Sequence, residues 1–247
     1  MGASEGKTGK PVASEREGGL SELSEDALGF GVAELRTARD LLIRPRAVLD
    51  AYDQHGSTGG GRYTRPLKFY LALCGLSLAI SFLFGGMETF FNQTPPELLD
   101  RAKGIATASG KSLDAFIADA DGWSSLLITP IYILFSTATV VPLISLWSRS
   151  GWRRSFRAGF GYLSAWTLPL MAATPLVFVR EYAELSMVLT VVVAVVTLLR
   201  VGPGRWWTTA WGGVAKTVVF TVVLLVMTAL ASFTAVALSL VGARFGP

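Results

Sequence analysis

Arg62-Tyr63-Thr64-Arg65-Pro66-Leu67-Lys68-Phe69-Tyr70 runs without a break into LALCGLSLAISFLFGGM, which ends at Met87. From Leu67 to Met87 there are 21 residues and one charge, Lys68. At ~1.5 Å per residue such a run covers ~30 Å, the hydrocarbon thickness of a bilayer. Inside hydrocarbon a backbone must satisfy its own hydrogen bonds, so the run is predicted helical. Arg62, Tyr63, Arg65, Lys68 and Tyr70 would mark the polar interface, where cations reach headgroups and tyrosine keeps one end wet.

The composition agrees with a chain built around that crossing. Hydrophobic residues make up 51% and charged residues 16%, below the roughly one quarter of a soluble domain. Mean hydropathy is +0.47. The single cysteine, Cys74, lies inside the apolar run, which rules out an intrachain disulfide. The sole histidine, His55, leaves little material for metal or acid–base chemistry.

Upstream, residues 1–26 are rich in Gly, Ser, Glu and Lys without apolar periodicity and read as a disordered tail. They carry neither the apolar core of a secretory signal nor the Ser or Thr that myristoylation wants at Gly6. Residues 27–61 differ. Leu28, Val32, Leu35 and Leu42 fall near one helical face, with Arg36, Arg39 and Asp40 elsewhere. Pro45 interrupts, and Ala47, Val48, Leu49 and Tyr52 resume the pattern. The reading is two short amphipathic helices lying on a membrane surface or against the spans; the alternative is a soluble pair packed on itself. Gln54 to Gly61 follows as a flexible Gly-rich linker, without the Lys-Ser/Thr ending of a phosphate loop.

Downstream, four more apolar runs follow a polar loop at 88–123: about 124–147, 158–179, 185–201 and 214–241. The loop carries six acids against three bases, a net −3, and two helical pieces bearing Leu98, Leu99, Phe116 and Ile117. Pro130 and Pro142, and then Pro169 and Pro175, should kink the second and third runs. Arg205-Trp206-Trp207 with Trp211 suits an interface belt. The predicted fold is therefore all-α, a polytopic membrane protein of five transmembrane helices at 62–247, preceded by short amphipathic helices.

Charge sets the orientation. The Arg36–Lys68 stretch holds seven bases, the second-to-third connection holds Arg149, Arg153, Arg154 and Arg157, and the fourth-to-fifth holds Arg200, Arg205 and Lys216. With five spans all three fall on one side, which the positive-inside rule makes cytoplasmic. The expectation is a bacterial inner-membrane protein with its N-terminus inside, its C-terminus outside and 88–123 external.

Two resemblances bear on function. Arg44-Pro45, Tyr52, Arg62-Tyr63 and Pro66-Leu67-Lys68-Phe69-Tyr70-Leu71 resemble an uncharacterised bacterial membrane family, in which an RY..PLKFYL segment leads into the first span. Longer members of that family carry an N-terminal zinc ribbon, whose cysteines this chain lacks. Five spans, an "RP" helix before the first, and a Pro-kinked third span with Phe160, Tyr162 and Pro169 are similar to the Yip (Ypt-interacting protein) superfamily. That architecture implies an adaptor or membrane-organising role, and neither resemblance implies a reaction.

The residues agree in offering no catalytic constellation. Asp50, Asp53 and His55 match no metal spacing, and Glu88, Asp119 and Asp121 read as solvated loop charges. The chain is read as no enzyme, with no cofactor, metal or nucleic-acid partner; the basic residues serve topology and no base-reading element accompanies them. A small-solute permease is the alternative, since paired prolines and Thr129, Thr137, Thr139, Thr167 and Thr174 could line a path. Against it, no span interior carries Asp, Glu, His, Lys or Arg. The expected partners are the bilayer with its anionic headgroups and another membrane protein, at Arg44, Pro45, Tyr52, Arg62, Tyr63, Arg65, Pro66, Lys68 and Tyr70. Gly75 and Ala79, Gly161 and Ala165, and Ala231, Ala235 and Ser239 have the small-residue spacing of close helix contacts, within the chain or between subunits.

Overall fold

A computed structural model describes residues 31–83, 103–148, 151–177 and 183–245. These form helices α1 (Val32–Ile43), α2 (Pro45–His55), α3 (Pro66–Leu83), α4 (Leu113–Ser148), α5 (Trp152–Met171), α6 (Thr174–Val177), α7 (Ala183–Val201) and α8 (Ala210–Phe245). Among the described residues there is no β-strand, and the fold is all-α.

Local chemistry sets the element ends. Arg44 precedes Pro45, and proline pushes its predecessor out of helical geometry; Arg44 sits at φ −141°, ψ 61°, which ends α1. Pro45 then occupies the first turn of α2, where its missing N–H costs nothing. Gly56, at φ +85°, closes α2. The Gly-rich stretch after it is a hydrogen-bonded turn rather than a loose linker. Gly59 N–H donates to Gly56 O (2.9 Å), and Tyr63 N–H to Thr58 O (2.9 Å). Gly59 is buried at φ +55°, and a Cβ there would lie 2.7 Å from the Tyr63 ring. Only glycine serves both the dihedral and the space.

Two helices, α4 and α8, are long and apolar enough to cross a membrane. Each has 36 residues, or ~54 Å. They pack antiparallel. Phe116 and Ala120 of α4 meet Ala243 near the end of α8, and Ile131 meets Ala231 and Ala235. At the opposite end Lys216 lies over the Trp147 ring at 5.7 Å. The Tyr132 and Ser232 hydroxyls bond at 2.6 Å between them. Pro130 and Pro142 both lie within the continuous helix α4.

Helix bounds differ from the apolar runs in three places. The piece expected at 112–120 is continuous with the second run, because nothing in Leu113–Trp123 breaks a helix. The third helix starts at Trp152, taking Arg153, Arg154 and Arg157 into its first turns, and stops at Met171 before the short α6. The first helix is described to Leu83; Phe84 to Met87, and Leu98 and Leu99, lie outside the described residues.

The core is organised on α5. Ala158 to Trp166 are all buried, with α1, α2, α3, α4 and α7 packed around them. Glycine makes two of these approaches possible. A Cβ on Gly159 would stand 2.8 Å from Val141 Cγ2, and one on Gly161 would stand 3.3 Å from Leu49 Cδ1. Side chains bond α5 to α7 through backbone carbonyls. Tyr162 Oη donates to Ala194 O (2.7 Å) and Trp166 Nε1 to Thr190 O (3.2 Å).

Candidate functional site

One end of the bundle is built from α1, α2, the 62–66 segment, the first turns of α5, and the connection between α7 and α8. Its central feature is the orientation of α1. Glu34, Thr37 and Asp40, three or four residues apart, form one stripe of the helix, and all three are buried. Val32, Leu35, Leu42 and Ile43 face outward, 45–67% exposed. Glu34, Thr37 and Asp40 thus turn into the protein together with Leu41, while Arg36 and Arg39 share the outward face with the four aliphatic side chains.

That face holds the 62–68 segment in place. Thr37 Oγ1 donates to Ala33 O (2.6 Å) and accepts the Thr64 N–H (3.0 Å). On the other side of Thr64, its carbonyl accepts from Tyr52 Oη (2.7 Å). Glu34 uses both oxygens, one on Gly31 N–H and one on Lys68 Nζ, each at 3.0 Å. Asp40 is the most crowded group. It accepts from Arg39 (2.8 and 3.0 Å), from Arg44 (3.3 Å) and from Tyr63 Oη (3.0 Å), with Arg62 Nη2 at 3.6 Å.

Electrostatics follow from these partners. Burial by itself raises the Asp40 carboxyl, but hydrogen bonds from Arg39, Tyr63 and Arg44 outweigh it and hold it below the usual range. For Glu34, burial is again outweighed, by Lys68 and by backbone donors, and the net shift is downward. The Tyr63 phenol is pushed up, by burial first and then by its bond to the Asp40 carboxylate.

A second cluster closes the same end from the far side of the sequence. Arg205, with its side chain 9% exposed, reaches Asp53 (2.7 and 2.9 Å) and Asp50 (2.8 Å) on α2. Burial raises the Asp53 carboxyl against the pull of Arg205 and Arg157. Arg200 Nη2 donates to the carbonyls of Leu42 (3.0 Å) and Ile43 (2.8 Å), satisfying the last turn of α1. Lys216 Nζ bonds Trp206 O. All three basic stretches of the sequence therefore meet at one end of the molecule.

Each residue singled out from the sequence has a definite place. Arg44, Arg62 and Lys68 are exposed but tied to Asp40 or Glu34, and Arg65 is exposed. Pro45, Tyr52, Tyr63, Pro66 and Tyr70 are buried. The tyrosines are therefore core residues here, with Tyr52 and Tyr63 edge to face at 6.0 Å and Tyr70 against Phe160 at 5.6 Å. Gly161 and Ala165 are buried in the core, and Ala231, Ala235 and Ser239 are buried along α8. Gly75 and Ala79 are exposed, and a Cβ on Gly75 would meet nothing within 4 Å, so this pair makes no close contact among the described residues. Glu34, Thr37, Asp40 and Arg205 were not anticipated. The 3.6-residue spacing of Glu34, Thr37 and Asp40 was the available signal.

The arrangement binds and braces; it offers no nucleophile–base pair. Among the described residues no group of three or more His, Cys, Asp and Glu side chains is placed to hold a metal ion. Asp50 and Asp53 are engaged by Arg205, and Asp119 by Lys111 at 2.6 Å. No protein-family model, curated protein or solved structure matches the chain.

Proposed function

We propose that this is a five-span protein of a bacterial inner membrane, and that it works as an adaptor or organiser through its polar end, which lies at the cytoplasmic face. The observation that carries the reading is the inverted α1. A helix that turns Glu34 and Asp40 inward and shows Val32, Leu35, Leu42 and Ile43 outward, flanked by Arg36 and Arg39, is matched to a lipid interface, where the aliphatic side chains enter the acyl boundary and the arginines reach headgroups. Its polar face is then free to be read by the protein itself, as a fixed platform around Asp40.

The crossings are α3, α4, α5, α7 and α8. The described lengths of α3, α5 and α7 are 18, 20 and 19 residues, or ~27–30 Å. Two crossings separate the 31–68 segment from the start of α5, and two more separate that from the α7–α8 connection, so all three lie on one side, as the positive-inside rule asks. The adaptor class rests on the resemblance to the Yip superfamily and on a surface built for contact rather than chemistry.

The test has two parts. Reporter fusions at Gly60 and Gly204 should read cytoplasmic and a fusion at Ser109 external; an external reading at Gly204 sinks the topology. A photo-crosslinking residue at Leu42 or Arg65, used in native membranes, should yield one recurrent membrane-protein product that Asp40→Ala abolishes. A solute flux lost on substituting Pro142 and Pro169, with no recurrent product, would replace the adaptor with a permease.

A further inference from the structure

At the head of α5 an open cleft of about 520 Å³ is lined by Gly151, Trp152, Arg153, Arg154 and Arg157. A second, of about 330 Å³, adds Phe156 to Trp152, Arg153 and Arg157. The other cations at this end have partners: Arg39, Arg44 and Arg62 on Asp40, Lys68 on Glu34, Arg46 and Arg205 on α2 carboxylates, Arg200 on α1 carbonyls. Arg153, Arg154 and Arg157 are in no ion pair among the described residues, and Arg157 Nε is enclosed without a hydrogen-bond partner. Arg36 and Arg65 are also outside those pairs, but neither lines either of these two clefts.

Three unpaired guanidiniums here are costly. Arg153 and Arg157 are i,i+4, and Arg154 and Arg157 i,i+3, so they repel on one helix face. They also occupy the positive end of the α5 macrodipole, where anions are favoured and cations are not. The nearest acids, Asp50 and Asp53, are bonded by Arg205, and Asp53 attracts Arg157 and Arg154 only from beyond ion-pair distance. A positive-inside bias accounts for basic residues anywhere in this connection; it does not account for their gathering round a cavity with an aromatic wall. That wall continues inward: Trp152, 63% exposed, lies 6.2 Å from Phe156, Phe156 lies 4.6 Å from Phe160, and Phe160 lies 5.6 Å from Tyr70.

We infer that this cleft binds the headgroup of an anionic phospholipid. The phosphodiester sits among the three guanidiniums, and the glycerol and upper acyl carbons lie along Trp152 and Phe156. The shared chemistry is a phosphate, but the aromatic wall fits an amphiphile and has no use for a free ion. Arginine matches phosphate oxygens in a fork and suits this role better than lysine. The inference rests on the membrane reading, and its test separates the two.

The full chain is reconstituted in vesicles of phosphatidylcholine with phosphatidylglycerol and checked by flotation, then released into mild detergent and scored by native mass spectrometry for retained phosphatidylglycerol over phosphatidylcholine. At roughly fivefold per charge near the surface, Arg153→Gln with Arg154→Gln and Arg157→Gln should reduce retention well over tenfold. Arg36→Gln with Arg65→Gln should leave it within about twofold. Because Arg153 is exposed, the single Arg153→Gln should retain the fold and lower retention severalfold, as should Trp152→Ala. Equal loss in the Arg36/Arg65 control, or no loss in the triple variant, overturns the inference. Inorganic phosphate that displaces the lipid at equal concentration overturns it in favour of a soluble-anion site. Loss of lipid selectivity with the Leu42 crosslink intact would remove this site and leave the adaptor reading standing; failure of the wild-type chain to float would remove both.

Discussion

Tyr63→Phe isolates the bond that fastens α1 to the start of α3. The phenol donates to Asp40 Oδ2 at 3.0 Å, and both residues are buried. Removing only the hydroxyl keeps the ring, its edge contact with Tyr52 and its packing over Gly59. A hydrogen bond to a charged acceptor contributes ~1.5–3 kcal/mol. Asp40 retains Arg39 and Arg44, so the carboxylate is not orphaned, and the lower figure, ~1.5 kcal/mol, is expected. That is about tenfold in the opening equilibrium. Hydrogen exchange on the full chain in lipid nanodiscs should show amides of Leu41 to Ile43 and Thr64 exchanging about tenfold faster, with α4 and α8 unchanged. Asp40→Ala should cost more, ~2–3 kcal/mol, because it removes every acceptor at once. It should stop short of a fully buried pair, because Arg39, Arg44 and Arg62 are 51–61% exposed and turn to water. On the Asp40→Ala background Tyr63→Phe should add little. Unchanged α1 exchange in Tyr63→Phe, or equal acceleration across all helices, would refute the latch.

Glu34 and Asp40 both have depressed carboxyl values, so their contribution is complete above their ordinary values, 4.5 and 3.8, and is lost as pH falls below these through the folded ones. Exchange in α1 should therefore be flat from pH 7 to about 5, after correction for intrinsic rates, and should accelerate selectively in acid. Gly159→Ala should lower thermal stability in micelles by ~1–3 kcal/mol, since the new Cβ meets Val141 Cγ2 at 2.8 Å, whereas Gly75→Ala, in open space, should be neutral or stabilising by up to ~1 kcal/mol. Arg205→Gln should cost ~2 kcal/mol and free the α7–α8 connection for proteolysis, below the value for a fully buried pair because Asp50 and Asp53 are 43% and 33% exposed.

Helicity and some element ends were legible because they depend on local chemistry, the apolar runs and Arg44-Pro45, whereas the hydrogen-bonded turn after Gly56 reads from composition only as a linker. The site was legible only in part. The 62–70 segment reads as an interface with headgroups, and the fold adds that Arg62 and Lys68 are held by Asp40 and Glu34, partners that the segment itself does not name. Amphipathic periodicity gives two faces and no rule for which turns inward, since that depends on the solvent outside. Arg205 and Asp53 lie 152 residues apart, and no local pattern joins them. Small-residue spacing left open whether contacts lie within the chain or between subunits; Gly161, Ala165, Ala231, Ala235 and Ser239 are buried, while Gly75 and Ala79 face outward, so the spacing states what a face permits and not what meets it.

The orientation of α1 is also an argument about the medium around it. In water it would be the wrong way round. Fully burying a large aliphatic side chain gains ~1.5–3 kcal/mol, so leaving Val32, Leu35, Leu42 and Ile43 roughly half exposed forgoes about 1 kcal/mol each, near 4 in all. The same fold turns two carboxylates away from solvent, at a desolvation cost that only paired donors offset. Rotating α1 by half a turn about its axis would relieve both in water, but only by turning Arg36 and Arg39 inward and exposing Leu41. Against a bilayer surface the balance reverses: the four aliphatic side chains enter the acyl boundary, and a rotated helix would press Glu34 and Asp40 into it instead. Arg39, Arg44, Arg62, Lys68 and Tyr63 then have a single purpose, to hold a polar face inward that lipid would reject. Replacing Leu35 and Leu42 by Gln tests this directly. A helix exposed to water should tolerate or welcome the change. A helix seated in lipid should lose contact, so that α1 exchanges faster in nanodiscs but not in micelles of a detergent too small to cover it. Equal exchange in both media would place α1 in water and remove the main support for the proposed working surface.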